Sequence, residues 1–170
     1  VTFVKSLSAL FVPGKCPKRI DNEKIVAGES LASDSTPSDI IGYPKAQQPH
    51  YDLLRFLDAQ EVAYTQALSE LKGGRKQSHW IWYIFPQQKG LGHSYNSKYY
   101  GLDGEGEARA YVEHKILGDR LRQCCKALLL HKDKDIKYIM GSGIDVLKLK
   151  TSMRLFNKVS PNDVFEEVLD

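Results

Sequence analysis

The sequence predicts a mainly α fold: a compact single helical domain over residues 51–170, preceded by an irregular N-terminal extension over 1–50. Three observations lead there. Beyond Tyr51, apolar residues return at spacings of three and four, the mark of a helix with one buried face. Glycine and proline punctuate these stretches where helices would stop. A chain of 170 residues, 42% hydrophobic and 26% charged, has the make-up of one globular domain able to bury a core.

Within 1–50, the stretch GESLASDSTPSDIIGYPKAQQPH concentrates Ser, Pro, Gly and Asp, the composition of loops and linkers. Only short pieces such as SALFV and KIVAG offer apolar surface for a strand or an arm. The opening VTFVKSLSALFVPGKCPKR is basic and free of acids, as an organelle-targeting remnant would be, but its arginine content is low. From Tyr51 the pattern turns helical. Leu53, Leu54, Leu57, Tyr64, Leu68 and Leu71 define a first helix, with Gly73 and Gly74 as its stop.

HWIWYIF (79–85) is harder, because seven consecutive bulky residues fit a buried strand or a buried helix on periodicity alone. Its aromatic and β-branched content suits a strand. Ser78 as an N-cap, Pro86 as a terminator and helical surroundings favour a short buried helix. EGEARAYVEH then leads into ILGDRLRQCCKALLLHK, where Leu117, Leu121, Cys124, Cys125, Leu128 and Leu129 share one apolar face. DKDIKYIM reads as a short helix that begins with acids and ends before Gly141. In GIDVLKLKTSMRLFNKVS the apolar set is Val146, Leu149, Met153, Phe156 and Val159, and SPNDVFEEVLD reads as a final helix.

A net charge of +3 is too small to imply a nucleic-acid partner. No apolar run approaches the roughly 20 residues of a membrane-spanning helix. The three cysteines, Cys16, Cys124 and Cys125, include an adjacent pair, which argues against a disulfide scaffold and for a reducing, cytoplasmic setting. They do not form metal-ligand spacings, so neither a metal nor another cofactor is expected.

Two polar concentrations carry the functional expectations. GGRKQSH precedes the aromatic run and PQQKGLGHS follows it, so Lys76, Ser78 and His79 can approach Gln87 if the chain folds back. Gly90 and Gly92 let backbone amides come close to a bound phosphate or ribose. Trp80, Ile81, Ile84 and Phe85 are expected in the core, while Trp82 and Tyr83 divide between core and pocket because their polar tips seek partners. A ring stacked on a flat base contributes roughly 1–3 kcal/mol. His79 has the side chain suited to proton transfer near neutrality. In GSGIDVLKLKTSMRLF, Asp145 and Lys148 stand three apart and Lys148 and Ser152 four apart on one helix face. That helix start could present amides, Lys148 and Ser152 to an anion, or Asp145 and Lys148 could form an ordinary surface pair. Phosphate-loop, nucleophile-elbow and zinc-protease signatures are absent.

The segments RFLDAQ, GRKQSHWIWYIFPQ, GLGHS, EARAYVEH with LGDRL, and DVLKLKTSMRLF occur in that order. Together they resemble the family catalogued as domain of unknown function 1810, over residues 51–169. The resemblance implies a compact, mainly helical fold. It carries over Lys76, Ser78, His79, Trp80, Trp82, Phe85, Pro86 and Gln87. It also carries over Gly90, Leu91, Gly92, Ser94, His114, Leu117, Gly118, Arg120, Asp145, Lys148, Ser152 and Met153. The calpastatin label borne by some members does not suit a patterned globular chain. A looser, fold-level analogy links it to NADAR domains, which act on ADP-ribose-type N-glycosidic bonds. Two departures stand out: Lys115 and Ile116 follow His114 where members have His-Pro, and Arg154 stands where they often have Thr.

The first functional expectation is a hydrolase acting on a nucleotide-like or ADP-ribosyl substrate. Asp145 and His79 would be its catalytic groups, and Lys76, Ser78, Trp82, Gln87, Gly92, Lys148 and Ser152 its ligand-binding ones. The second is a non-enzymatic module that binds a small phosphorylated ligand or a protein at the same place. RNA binding ranks last. All three require the aromatic segment and the turn before Lys148 to meet in space.

Overall fold

Helix α1 (Leu54–Lys72) buries Phe56, Gln60, Ala67 and Leu71, a spacing of four, seven and four that keeps one face inward. Leu54, expected on that face, is 66% exposed. Phe56 takes the inward position two residues later, which a count of leucines alone does not identify. The structure, a computed structural model, describes residues 50–170. Expectations for 1–49, including the arm and the targeting remnant, lie outside the described residues.

The glycine stop is real and specific. Gly74, at φ +72°, donates its N–H to Leu71 O (3.0 Å), and Arg75 N donates to Glu70 O (3.0 Å). This pair of bonds is a Schellman turn, and it caps the last carbonyls while reversing the chain. The reversal brings residues 75–80 back along α1.

The aromatic run forms a single-turn helix, α2 (Ile81–Ile84), so the helical alternative holds over the strand. Its expected N-cap does not. Ser78 lies too far upstream, Trp80 occupies the cap position without a side-chain capping bond, and the Ser78 hydroxyl is used elsewhere. Ile81, Ile84, Trp80 and Phe85 are all core residues. The Tyr83 carbonyl accepts from Gln60 Nε2 of α1 (2.7 Å) and from the Tyr111 hydroxyl (3.2 Å). Gln60 Nε2 also donates to that hydroxyl (2.8 Å). The donors of this buried triad are all paired, so it fixes α2 to α1 and Tyr111, while the indole N–H of Trp82 on the same helix is buried without a partner among the described residues.

After Pro86 the chain crosses to a helix not anticipated from the pattern, α3 (Tyr95–Tyr99), capped by Ser94 Oγ accepting from Ser97 N (3.2 Å). Among the described residues there is no strand, only one isolated parallel bridge between Gln88 and Leu102. Arg55 secures this region: it pairs with Glu107 at 2.8 Å with both side chains nearly buried, and its Nε donates to Tyr99 O (3.0 Å).

Helices α4 (Gly104–Glu113) and α5 (Lys115–Leu129) meet at His114, whose Nδ1 accepts from Ile116 N and Leu117 N (3.3 and 3.4 Å). The inward face of α5 is close to that expected, with Leu117, Leu121, Cys124, Cys125 and Leu128 buried. Burial pushes the Cys124 thiol up to about 12 and Cys125 well above its ordinary range. Helix α6 (Ile136–Met140) starts on Asp135, which accepts from Lys137 N (2.8 Å), and ends on Gly141 in the left-handed region. Helix α7 (Gly143–Val159) buries Leu149, Met153, Phe156 and Val159, as its spacing predicts. The last helix, α8 (Phe165–Leu169), begins later than Ser160–Pro161 suggests, because Asn162 adopts φ +64° and makes a turn first. No helix of the described residues is long and apolar enough to cross a membrane.

Candidate functional site

The two remote segments do meet. Asp145, in the first turn of α7, pairs through Oδ2 with Lys76 Nζ at 2.7 Å and through Oδ1 with Lys148 Nζ at 3.2 Å. Ser142 sets this geometry by capping α7, its Oγ accepting from Asp145 N (3.1 Å). Each lysine also lies over a different tryptophan: Lys148 Nζ is 4.5 Å from the Trp82 ring centre, and Lys76 Nζ is 5.3 Å from that of Trp80. Such contacts contribute about 0.5–1 kcal/mol where water still has access. Burial alone would raise the Asp145 pKa, but the hydrogen bonds and charges of Lys76 and Lys148 outweigh it and lower it. The carboxylate is held ionised.

The loop before α2 is held by a residue the sequence reading passed over. Glu70 Oε2 accepts from Gln77 N (2.8 Å), Ser78 N (3.1 Å) and Trp80 Nε1 (2.7 Å), and Oε1 accepts from the Ser78 hydroxyl (2.6 Å). Desolvation opposes its ionisation, yet these donors, led by the Gln77 and Ser78 groups, bring its pKa down to about 2. A carboxylate that gathers several N–H donors behaves this way. Lys76 is fixed in turn by its own N–H, which donates to Ile139 O of α6 (2.7 Å). Glu70 is thus the template on which Lys76 and His79 are displayed.

The expected ligand set divides between two neighbouring depressions. Lys76, His79 and Asp145 line an open groove of about 460 Å³, with Arg75 and Ser142 beside them. Trp82, Gln87, Gly92 and Lys148 line a narrow cleft with Asn96, Ser97 and Tyr100, and its cavity volume is only about 10 Å³. That is room for one water molecule at most. Gly92 is required there, since a Cβ would stand 2.6 Å from Ser97 Oγ. Gln87 Nε2 is bonded to Thr151 Oγ1 of α7, which closes the cleft on that side. The Asp145–Lys148 pair stands between groove and cleft.

Two expected residues do not face either depression freely. Ser152 is fully buried, and its hydroxyl has no partner within the protein. Four positions along an α-helix turn the side chain by about 40° beyond a full circle, and from Lys148 that rotation leads into the core. Ser78 is committed to Glu70 through both its N–H and its hydroxyl. His79 is exposed, and the exposed Arg75 lies over the Tyr138 ring at 5.0 Å on the groove's edge.

A family model described as "Protein of unknown function (DUF1810)" matches residues 50–170. The chain belongs to this family. The crystal structure of the conserved hypothetical protein Rv1873 from Mycobacterium tuberculosis is similar to this DUF1810 chain. The two share 40% sequence identity with a TM-score of 0.68, over 70% of this chain and 85% of that one. No curated protein matches. Of the departures from the DUF1810 pattern, Arg154 is an exposed side chain on α7 and disturbs nothing in the core.

Lys115 occupies the first helical position of α5, where a proline's missing N–H is no loss and His114 (ψ 122°) already has the backbone a following proline needs. Lys115→Pro is therefore expected to raise the stability of this DUF1810 protein by about 0.5 kcal/mol through a stiffer unfolded chain. Urea denaturation checks it, and a loss of stability would show that α5 does not begin as described.

Proposed function

We propose that this protein is a recognition module for a small phosphorylated, nucleotide-like anion, bound in the groove formed by Arg75, Lys76, His79, Ser142 and Asp145. One observation carries the reading: a single carboxylate, Asp145, ties together two ammonium groups from distant segments, each braced on its own indole. Within the groove Arg75 and Lys76 face the single carboxylate of Asp145, which Lys148 shares from the neighbouring cleft, so the groove holds a surplus of positive charge in a preset arrangement. Its volume of about 460 Å³ lies within the roughly 300–1,000 Å³ of small-ligand sites. Asp145 serves as the orienting group, and Lys148 extends the cationic surface toward Trp82.

Titration with AMP, ADP-ribose and inorganic phosphate, followed by thermal shift and calorimetry, tests it. The expected result is saturable stabilisation, reaching about 2.7 kcal/mol at a hundredfold excess over Kd. Arg75→Ala with His79→Ala, both on exposed side chains, should weaken binding at least tenfold. An unshifted melting curve with all three ligands overturns the reading.

A second reading, hydrolysis of an N-glycosidic or ADP-ribosyl bond, is favoured by His79 and Asp145 lining the same groove. An ionised Asp145 suits stabilisation of an oxocarbenium ion and does not suit proton donation, which would fall to His79. The analogy with NADAR domains supports only this substrate class. Incubation with ADP-ribosylated nucleobases should then release product, lost in Asp145→Asn. A ligand recovered unchanged leaves recognition without catalysis.

Removing Asp145 also has a structural cost. The Lys76 and Asp145 side chains are only 8% and 15% exposed, so little water reaches the ammonium left behind, and Asp145→Ala is expected to destabilise by about 2 kcal/mol, approaching the roughly 3–5 kcal/mol of a sealed pair. Chemical denaturation checks it, and a negligible loss would show that water replaces the carboxylate.

A further inference from the structure

A larger cavity lies apart from this groove and shares no lining residue with it. Between the end of α5, α6, α7 and α8 runs a depression of about 530 Å³. Its floor is apolar, built from Leu128, Ile139 and Leu149 of the core with the half-buried Leu129, Ile136 and Val168. Its rim is basic, carrying His131, Lys132, Lys134 and Lys150. Lys132 is turned to Glu167 at 3.7 Å, and His131 Nε2 lies 2.8 Å from Lys72 O. Lys134 and Lys150 pair with no carboxylate among the described residues.

We infer that this groove binds an unbranched medium-chain alkyl carboxylate, the tail on the Leu–Ile floor and the headgroup against Lys134 and Lys150. The size of the groove suits a small ligand, and an apolar floor rewards every methylene taken from water by about 0.8 kcal/mol. The unpaired ammonium groups complement an anionic end. The rim also holds Glu167 and Asp170. Its positive surplus is therefore small, which favours a monoanion over a dianionic phosphate. That distinguishes this groove from the one beside Asp145.

Calorimetry of the full chain with sodium decanoate, held below its micelle concentration, tests the inference against decanol and acetate. Decanoate should bind saturably, with decanol lacking the charge and acetate lacking the tail each at least tenfold weaker. Lys134→Glu with Lys150→Glu, both exposed, should weaken decanoate tenfold or more. Val168→Trp, which fills the groove, should do the same, with circular dichroism reporting its folding. The Arg75→Ala and His79→Ala protein should bind decanoate as the parent does, so the two sites fail or stand separately. The inference is overturned if decanoate gives no saturable heat at about millimolar concentration. Equal affinity for decanol, or unchanged affinity in the lysine double variant, overturns it too.

Discussion

Glu70→Ala is expected to destabilise the protein by about 3 kcal/mol, while Glu70→Gln costs less than half of that. The alanine leaves Gln77 N, Ser78 N, Trp80 Nε1 and the Ser78 hydroxyl without their common acceptor. Each partly buried donor left unpaired costs about 1–3 kcal/mol, reduced where water can enter. The glutamine keeps one oxygen for the three N–H donors, and the Ser78 hydroxyl can rotate to accept from the new amide. It loses charge assistance and the exposed bond that Gln66 Nε2 donates to Oε1 (3.1 Å). The variants also differ in pH dependence. In the native protein the carboxyl titrates at about 2, below its ordinary 4.5. The stability this provides is complete above about pH 4.5 and is lost as pH falls toward 2. Melting temperature followed from pH 6 to 2 should therefore fall more steeply for the parent than for Glu70→Gln. Parallel curves would remove Glu70 from its role as the template of the loop.

Gly118→Ala is the second large effect, again about 3 kcal/mol, and here the usual rule runs backwards. Alanine replacing glycine inside a helix ordinarily stabilises by roughly 0.5–1 kcal/mol. At Gly118, however, a Cβ would stand 2.1 Å from the carbonyl oxygen of Val112, a backbone atom of α4 that cannot step aside. Relief requires α5 to move away from α4, undoing close packing. Gly106 in α4 is the control. There a Cβ would meet only the far end of the Tyr51 side chain, its hydroxyl at 2.1 Å, and that ring can swing away. Gly106→Ala should be close to neutral in the same urea titration. Equal losses at both positions would refute the contact between α4 and α5 as described.

Much of the fold was legible because its long helices are amphipathic. The inward faces of α5 and α7 follow from spacing alone, since their apolar residues recur with the helical period. Helix α3 was not legible: five residues with no buried side chain carry no hydrophobic period, and only the Ser94 cap hints at it. Within the site, Asp145 and Lys148 could be paired from their i,i+3 spacing. The Lys76–Asp145 contact could be expected only as a meeting of two polar clusters, because tertiary packing decides it. Glu70 stayed hidden for a related reason. In sequence it is one more acid on a helix flank, and its role appears only once the turn at Gly74 returns the chain past it. Ser152 erred in the opposite direction, because nearness in helical register to Lys148 does not specify which side of the helix edge it falls on.

Cys124 and Cys125 lie in the core with their thiols held well above neutrality, so an alkylating reagent meets neither until the packing around α5 opens. The pair is therefore a built-in clock: modification of the peptide that contains it, read by mass spectrometry, counts excursions from the native state. Peroxide in the surroundings would likewise leave these two sulfurs reduced for as long as the fold stays closed.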